Sequence, residues 1–136
     1  FRTADALLID SIYLCGFTAT PPHKDIHKTA LGATDSVDWQ YFETTDKAVE
    51  YLKSIGYTIV AIEQTINSIS LIDSYCKKNE NYAFIFGNEV KGVSQDVIDK
   101  CDYVIEIPQF GTKHSFNISV SVGIVLWDQL SKLKNM

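Results

Sequence analysis

The sequence predicts an α/β domain built on a mainly parallel sheet with flanking helices, and three observations carry that prediction. Four short apolar runs, at residues 12–15, 58–62, 82–86 and 103–107, each stop at glycine, proline or a polar residue. Their apolarity is continuous rather than alternating, which is the pattern of strands covered on both faces. Segments with helical spacing lie between them, and strands that alternate with helices fold as a parallel sheet.

Taken in order, Ile12-Tyr13-Leu14-Cys15 is the first strand. Residues 46–55 form a helix, because Ala48, Val49, Tyr51, Leu52 and Ile55 recur near its 3.6-residue period, and Gly56 is placed to end it. The strands 58–62 and 82–86 follow. Ser94 caps a short helix reaching Lys100, with Asp96 in the first turn where the helix dipole favours a negative charge. The run 103–107 is the next strand. From Phe116 to Leu126 apolar residues alternate with small or polar ones, nominally a strand pattern. The segment nevertheless continues unbroken toward Leu133, well beyond the usual limit of about 10 residues for a strand, so a helix is expected. Ser119 and Gly123, four apart, would let another backbone approach one face of it.

The length of 136 residues and a 46% hydrophobic content suit one domain with a real core. The chain starts without Met and inside a motif, as expected of a piece of a longer protein. No apolar run approaches the ~20 residues of a membrane span, and no signal-peptide pattern is present. Cys15, Cys76 and Cys101 are odd in number, lack CxxC spacing and fall in or beside apolar runs, which predicts reduced, buried thiols and a cytoplasmic protein. A formal charge of −5 argues against indiscriminate nucleic-acid binding, since Lys and Arg supply most of that affinity. Local basic clusters remain, one of His23, Lys24, His27 and Lys28, the other of Lys91, Lys113 and His114. His23 and His27 have the spacing of two metal ligands on a helix face, but Lys24 stands where a zinc hydrolase needs Glu and no third ligand is evident, so no metal is expected.

Two polar signatures sit at the ends of apolar runs. Gly87-Asn88-Glu89 closes the run 82–86, and Ile107-Pro108-Gln109 closes the run 103–107, followed by Ser115-Phe116-Asn117. Ligands of open parallel sheets bind outside the carboxyl ends of the strands, which is where both signatures fall. They resemble the second and third motifs of the TrmH group of SPOUT methyltransferases. Upstream, Phe1-Arg2-Thr3-Ala4-Asp5 is similar to the second half of that family's first motif, and Ala61-Ile62-Glu63-Gln64-Thr65 to its cofactor-side strand end. The Asn and Gly that open the first motif would precede Phe1, and Phe116 stands where the family often carries Leu.

The resemblance covers nearly the whole chain and implies a SPOUT catalytic domain over residues 1–136 with a carboxyl-terminal trefoil knot, which nothing in the periodicity predicts. It implies methyl transfer from S-adenosyl-L-methionine to a ribose 2′-hydroxyl of tRNA or rRNA by a homodimer. It assigns cofactor contacts to Glu63, Gln64, Thr65, Gly87, Ile107, Pro108, Gln109, Phe116 and Asn117, and catalytic roles to Arg2, Glu89, Ser115 and Asn117. The chemistry agrees with those residue types. Gly87 permits close backbone approach, and Pro108 stiffens its loop. Glu89 can orient a guanidinium, and Ser115 and Asn117 can also cap the last helix. Arg stays protonated in proteins, so Arg2 suits phosphate orientation and alkoxide stabilisation better than proton abstraction. Two alternatives stay open: a noncatalytic RNA-binding module of the same fold, and a SPOUT enzyme methylating an RNA base.

Overall fold

The computed structural model of the chain describes residues 7, 9–16, 37–87, 92–110 and 117–134. It divides into two compact units, Phe1–Ala48 and Val49–Met136. In the first, β1 (Ser11–Cys15) pairs in parallel with β2 (Asp38–Phe42), in register Ser11 with Asp38 through Cys15 with Phe42. The rings of Tyr13 and Phe42 stack at 5.4 Å between centroids. The division between the units falls within α1 (Thr45–Ser54). At its start Thr44 Oγ1 accepts from the Lys47 N–H at 3.2 Å. At its end Gly56 takes φ +89°, and the Gly56 and Tyr57 N–H groups donate to the Lys53 and Leu52 carbonyls. This pair of bonds is a Schellman closure, and its left-handed residue is the glycine singled out from sequence.

The second unit is organised by a four-stranded parallel sheet. Its strands are β3 (Thr58–Ile62), β4 (Ile69–Ser70), β5 (Tyr82–Phe86) and β6 (Tyr103–Glu106), in the order β4-β6-β3-β5. A 3-10 turn, Leu71–Asp73, continues β4. The short helix α2 (Gln95–Lys100) leads into β6, with the Ser94 hydroxyl accepting from Val97 N–H as expected of its cap. Register at the amino end of the sheet is set by Asp102. Its carboxylate accepts from Ile59 N–H at 2.7 Å while its own N–H donates to Ile59 C=O at 2.8 Å.

Burial follows strand position. β3 is central, and Ile59, Val60 and Ala61 are fully buried, so both of its faces are covered as continuous apolarity predicts. β5 has an equally apolar sequence but lies at the edge among the described strands, and all five of its residues are half-buried. Apolar composition reports suitability for burial; position in the sheet decides how much is realised.

The last segment is the helix α3 (Ile118–Lys134), not a strand. Val125 packs with Val60, Leu71, Ile105 and Ile107 in one cluster, flanked by Tyr82, Phe84, Phe86, Tyr103 and Ile124. Each fully buried aliphatic side chain there contributes about 1.5–3 kcal/mol.

The carboxyl-terminal half of α3 is tied to the 3-10 turn by polar groups. Gln129 is 3% exposed, yet its Nε2 donates to Ser74 Oγ at 3.1 Å and its Oε1 accepts from Cys76 Sγ at 3.3 Å. Lys132 Nζ donates to the carbonyls of Leu71, Ile72 and Ser74 at 2.7, 3.2 and 2.8 Å, and pairs with Asp128 at 2.8 Å. The last carbonyls of a helical turn have no partner within it, and here a lysine from another element supplies one. All three cysteines are free; Cys76 is buried, while Cys15 and Cys101 are only half-buried. Burial pushes the Cys76 thiol up to about 11.

Candidate functional site

Because the strands are parallel, their carboxyl ends lie on one edge. Ile62 stands opposite Phe86 on one side and Ile105 on the other, so the residues that follow, Glu63, Gly87 and the Glu106-Ile107 step, come to the same edge. Glu63 N–H extends the ladder by donating to Ile105 C=O at 3.0 Å. The sequence motifs at the ends of three separate runs are thus brought together by pairing.

The loop after β3 is held from two directions. Ser68 Oγ lies 2.8 Å from both Glu106 Oε1 and Thr65 C=O and shares its one hydrogen between them, which ties the turn carrying Gln64 and Thr65 to the end of β6. Glu63 Oε2 accepts from Val93 N–H at 3.0 Å, and its Oε1 accepts from Gln64 N–H at 3.3 Å. Gln64 is exposed and Thr65 half-buried. Beside them Ile66 is fully exposed.

Gly87 is where the chain leaves β5, and the segment returning at Gly92 and Val93 lies directly against it. A Cβ on Gly87 would stand 2.7 Å from Gly92 Cα and nearer still to Gly92 C and Val93 N, so a side chain there cannot be accommodated in place. The close approach expected of Gly87 is therefore one that the chain makes with itself. Gly92 has φ +67°, and a Cβ on it would collide with the Glu63 carboxylate.

After β6, Ile107 is buried in the core cluster, Pro108 and Gln109 are half-buried, and Phe110 is 95% exposed. Asn117 is exposed at the start of α3, and its Oδ1 accepts from the N–H groups of Ser119 at 2.9 Å and Val120 at 3.3 Å. Asn117 C=O accepts from Ser121 N–H at 2.9 Å, so Asn117 is the N-cap expected. The edge thus assembles Glu63, Gln64, Thr65, Gly87, Ile107, Pro108 and Gln109. Arg2, Asn88, Glu89, Ser115 and Phe116 lie outside the described residues, as do both basic clusters and the His23–His27 pair.

Sequence reasoning missed Ser68, Glu106, Gly92 and Val93. The recurrence of glycine at 87 and 92 was the one available signal; the rest depends on which loops meet. A depression of about 310 Å³ elsewhere is lined by Thr58, Tyr82 and Tyr103, the first residues of their strands, together with Asp73, Tyr75, Lys77 and Glu80. It lies at the amino ends, away from the motifs, and the Tyr82 hydroxyl there is engaged by Lys77 N–H and Glu80. Among the described residues no group of three or more His, Cys, Asp or Glu could hold a metal, and no helix is long and apolar enough to cross a membrane.

The fold is a parallel α/β domain, and solved structures of SPOUT methyltransferases share it. Structures of that class superpose on nearly all of the chain. An AdoMet-bound rRNA methyltransferase from Sinorhizobium meliloti gives a TM-score of 0.88 at 23% identity, covering 97% of this chain and 49% of that one. A TrmH/SpoU tRNA modifying enzyme from A. aeolicus gives 0.83 at 24%, covering 98% and 66%. The chain belongs to the SpoU rRNA Methylase family, whose sequence model matches residues 1–127. Relatives include a tRNA (guanosine(18)-2′-O)-methyltransferase from Borreliella burgdorferi, 35% identical over 104 residues that make up 76% of this chain and 47% of that protein. A 23S rRNA (guanosine-2′-O-)-methyltransferase RlmB from Neisseria meningitidis is 30% identical over 126 residues, 92% of this chain and 49% of that protein. The chain spans about half the length of these two relatives.

Proposed function

We propose that residues 1–136 are the catalytic domain of an S-adenosyl-L-methionine-dependent RNA methyltransferase acting on a ribose 2′-hydroxyl of tRNA or rRNA. The observation that carries this reading is that pairing brings the described motif residues Glu63 to Thr65, Gly87 and Ile107 to Gln109 to one sheet edge, in a chain whose relatives are 2′-O-methyltransferases of tRNA and of rRNA. The edge fits an adenosyl cofactor in chemistry. Its loops carry the polar side chains of Gln64, Thr65 and Gln109, with the exposed Phe110 beside them in sequence and Ile107 buried beneath.

When bound, S-adenosylmethionine supplies an electrophilic methyl group on a sulfonium. Gln64, Thr65, Gly87, Ile107 to Gln109, Phe116 and Asn117 would hold it, with the Glu63 carboxylate turned onto the backbone of Gln64 and Val93. The chain's remaining task is to place the ribose oxygen in line behind that methyl, and positioning of this kind is worth up to about 7–11 kcal/mol in favourable models. Arg2 orients the adjoining phosphate and stabilises the emerging alkoxide. Glu89 holds the guanidinium, and Ser115 and Asn117 place the substrate. The trefoil knot belongs to this reading.

A homodimer and a cytoplasmic location complete the proposal. Support for the dimer comes from α3, where Val120 and Trp127, seven apart on one helical face, are both exposed. The test is incubation with tRNA and rRNA transcripts and labelled S-adenosylmethionine, followed by alkaline hydrolysis. Label in an alkali-resistant dinucleotide, lost in Arg2→Ala while S-adenosylhomocysteine still binds, is the expected result. Label in mononucleotides would mean base methylation, and cofactor binding without transfer to any RNA would favour the noncatalytic module.

A further inference from the structure

We infer that Glu63 is a positioning residue: its carboxylate latches the segment that returns after the second motif to the carboxyl edge of the sheet, and does not touch cofactor or RNA. The inference rests on the methyltransferase reading only for what the edge binds; the latch itself is a matter of geometry. The chain departs from β5 at Gly87 and comes back into contact with it at Gly92 and Val93, with no space between the two ends for a side chain. Holding ends this close requires something to fix the returning strand. Glu63 does so from the end of β3, where its own N–H is bound to Ile105 C=O.

Both carboxylate oxygens are turned onto backbone, Oε2 to Val93 N–H at 3.0 Å and Oε1 to Gln64 N–H at 3.3 Å. Glycine at 92 keeps the carboxylate in place, since a methyl group there would displace it, and φ +67° favours glycine independently. One carboxylate therefore joins β3, the loop bearing Gln64 and Thr65, and the exit from β5. A hydrogen bond to an ionised acceptor is among the stronger ones available for such a task. The latch thus fixes Gly92 and Val93 against Gly87, the described residue of the second motif.

The test compares Glu63→Gln with Glu63→Ala in the whole chain, by calorimetric titration with S-adenosylhomocysteine and by hydrogen exchange at the Val93 amide. Gln keeps an oxygen that accepts from Val93 N–H; Ala has none. Glu63→Gln should bind within about threefold of the parent, while Glu63→Ala should weaken binding about tenfold or more, the scale set by loss of a charge-assisted bond. Exchange at Val93 should rise at least about tenfold in Glu63→Ala, with protection in β6 unchanged. Gln as damaging as Ala would mean that the charge contacts the ligand and would overturn the inference, as would unchanged Val93 exchange in Glu63→Ala. If the parent chain bound no S-adenosylhomocysteine, the methyltransferase reading would fail, and the Val93 exchange would still decide the latch.

Discussion

Replacing Gly87 with alanine puts a methyl group where the backbone of Gly92 and Val93 already stands. The added atom would stand 2.7 Å from Gly92 Cα and nearer still to Gly92 C and Val93 N, and ordinary contact begins at 3.4 Å, so the returning segment must retreat by more than about 0.7 Å. A retreat of that size along the Glu63–Val93 bond would stretch it from 3.0 Å to about 3.7 Å, beyond hydrogen-bonding range. Overpacking costs about 1–3 kcal/mol and loss of a bond to a charged acceptor about 1.5–3 kcal/mol. The same displacement relieves the first by giving up the second, so the two do not add fully and a total of about 3 kcal/mol is expected. A domain of this size has about 5–15 kcal/mol in hand, so it should still fold. Its urea midpoint should fall by about 1–2 M with an unchanged slope, and S-adenosylhomocysteine binding should weaken. Gly123→Ala is the control. It lies inside α3 with nothing within 4 Å of the added atom, and should gain about 0.8–1 kcal/mol from helix propensity. A Gly87→Ala midpoint within about 0.3 M of the parent would refute the reasoning, because it would mean that the segments are not in contact in solution.

Gln129→Leu, similar in size and without polar atoms, removes the acceptor for Cys76 and one donor to Ser74; it should cost about 1–3 kcal/mol and lower the calorimetric Tm by about 3–10 °C, whereas an unchanged or higher Tm would show that packing can replace the network. Alkaline pH should destabilise the domain, because burial holds the Cys76 thiol at about 11 against an ordinary 9.0, and the Tyr103 phenol at about 12 against 10.0. Groups raised in the folded state add stability that is fully present below the ordinary value and lost as pH rises through the folded value, so Tm should be level to about pH 8.5 and decline from about pH 9 to 12. Cys76→Ser, whose hydroxyl does not titrate there, should flatten the part between about pH 9 and 11; an identical profile in that variant would exclude Cys76 as the source.

The parts of the fold legible in the sequence are those fixed by local pattern. The strands at 58–62 and 82–86 occur with those bounds, and the run 103–107 is a strand as far as Glu106. The Gly56 stop and the Ser94 cap depend on backbone chemistry within a few residues, and both occur. So does the Asn117 cap, which confirms α3 as a helix against its period-two appearance. Two strands were not legible. Asp38–Phe42 mixes polar and aromatic residues and is a strand through its pairing with β1, and Ile69–Ser70 is too short to carry a pattern without β6 beside it.

The same division runs through the site. By itself the sequence determined the α/β class, the ends of three strands and the motif residues at those ends, because short-range periodicity and turn chemistry need no distant partner. The resemblance to the TrmH group, now borne out as family membership, rested on the same local strings. Only the tertiary structure decided that Gly87 must be glycine for the sake of Gly92 and Val93, that the Glu63 carboxylate faces backbone, and that Ser68 answers Glu106. Each of these joins residues 5 to 38 positions apart in a chain whose spacing carries no record of the meeting. Strand order and register bring them together, and the bonds they make exist only once the sheet has formed.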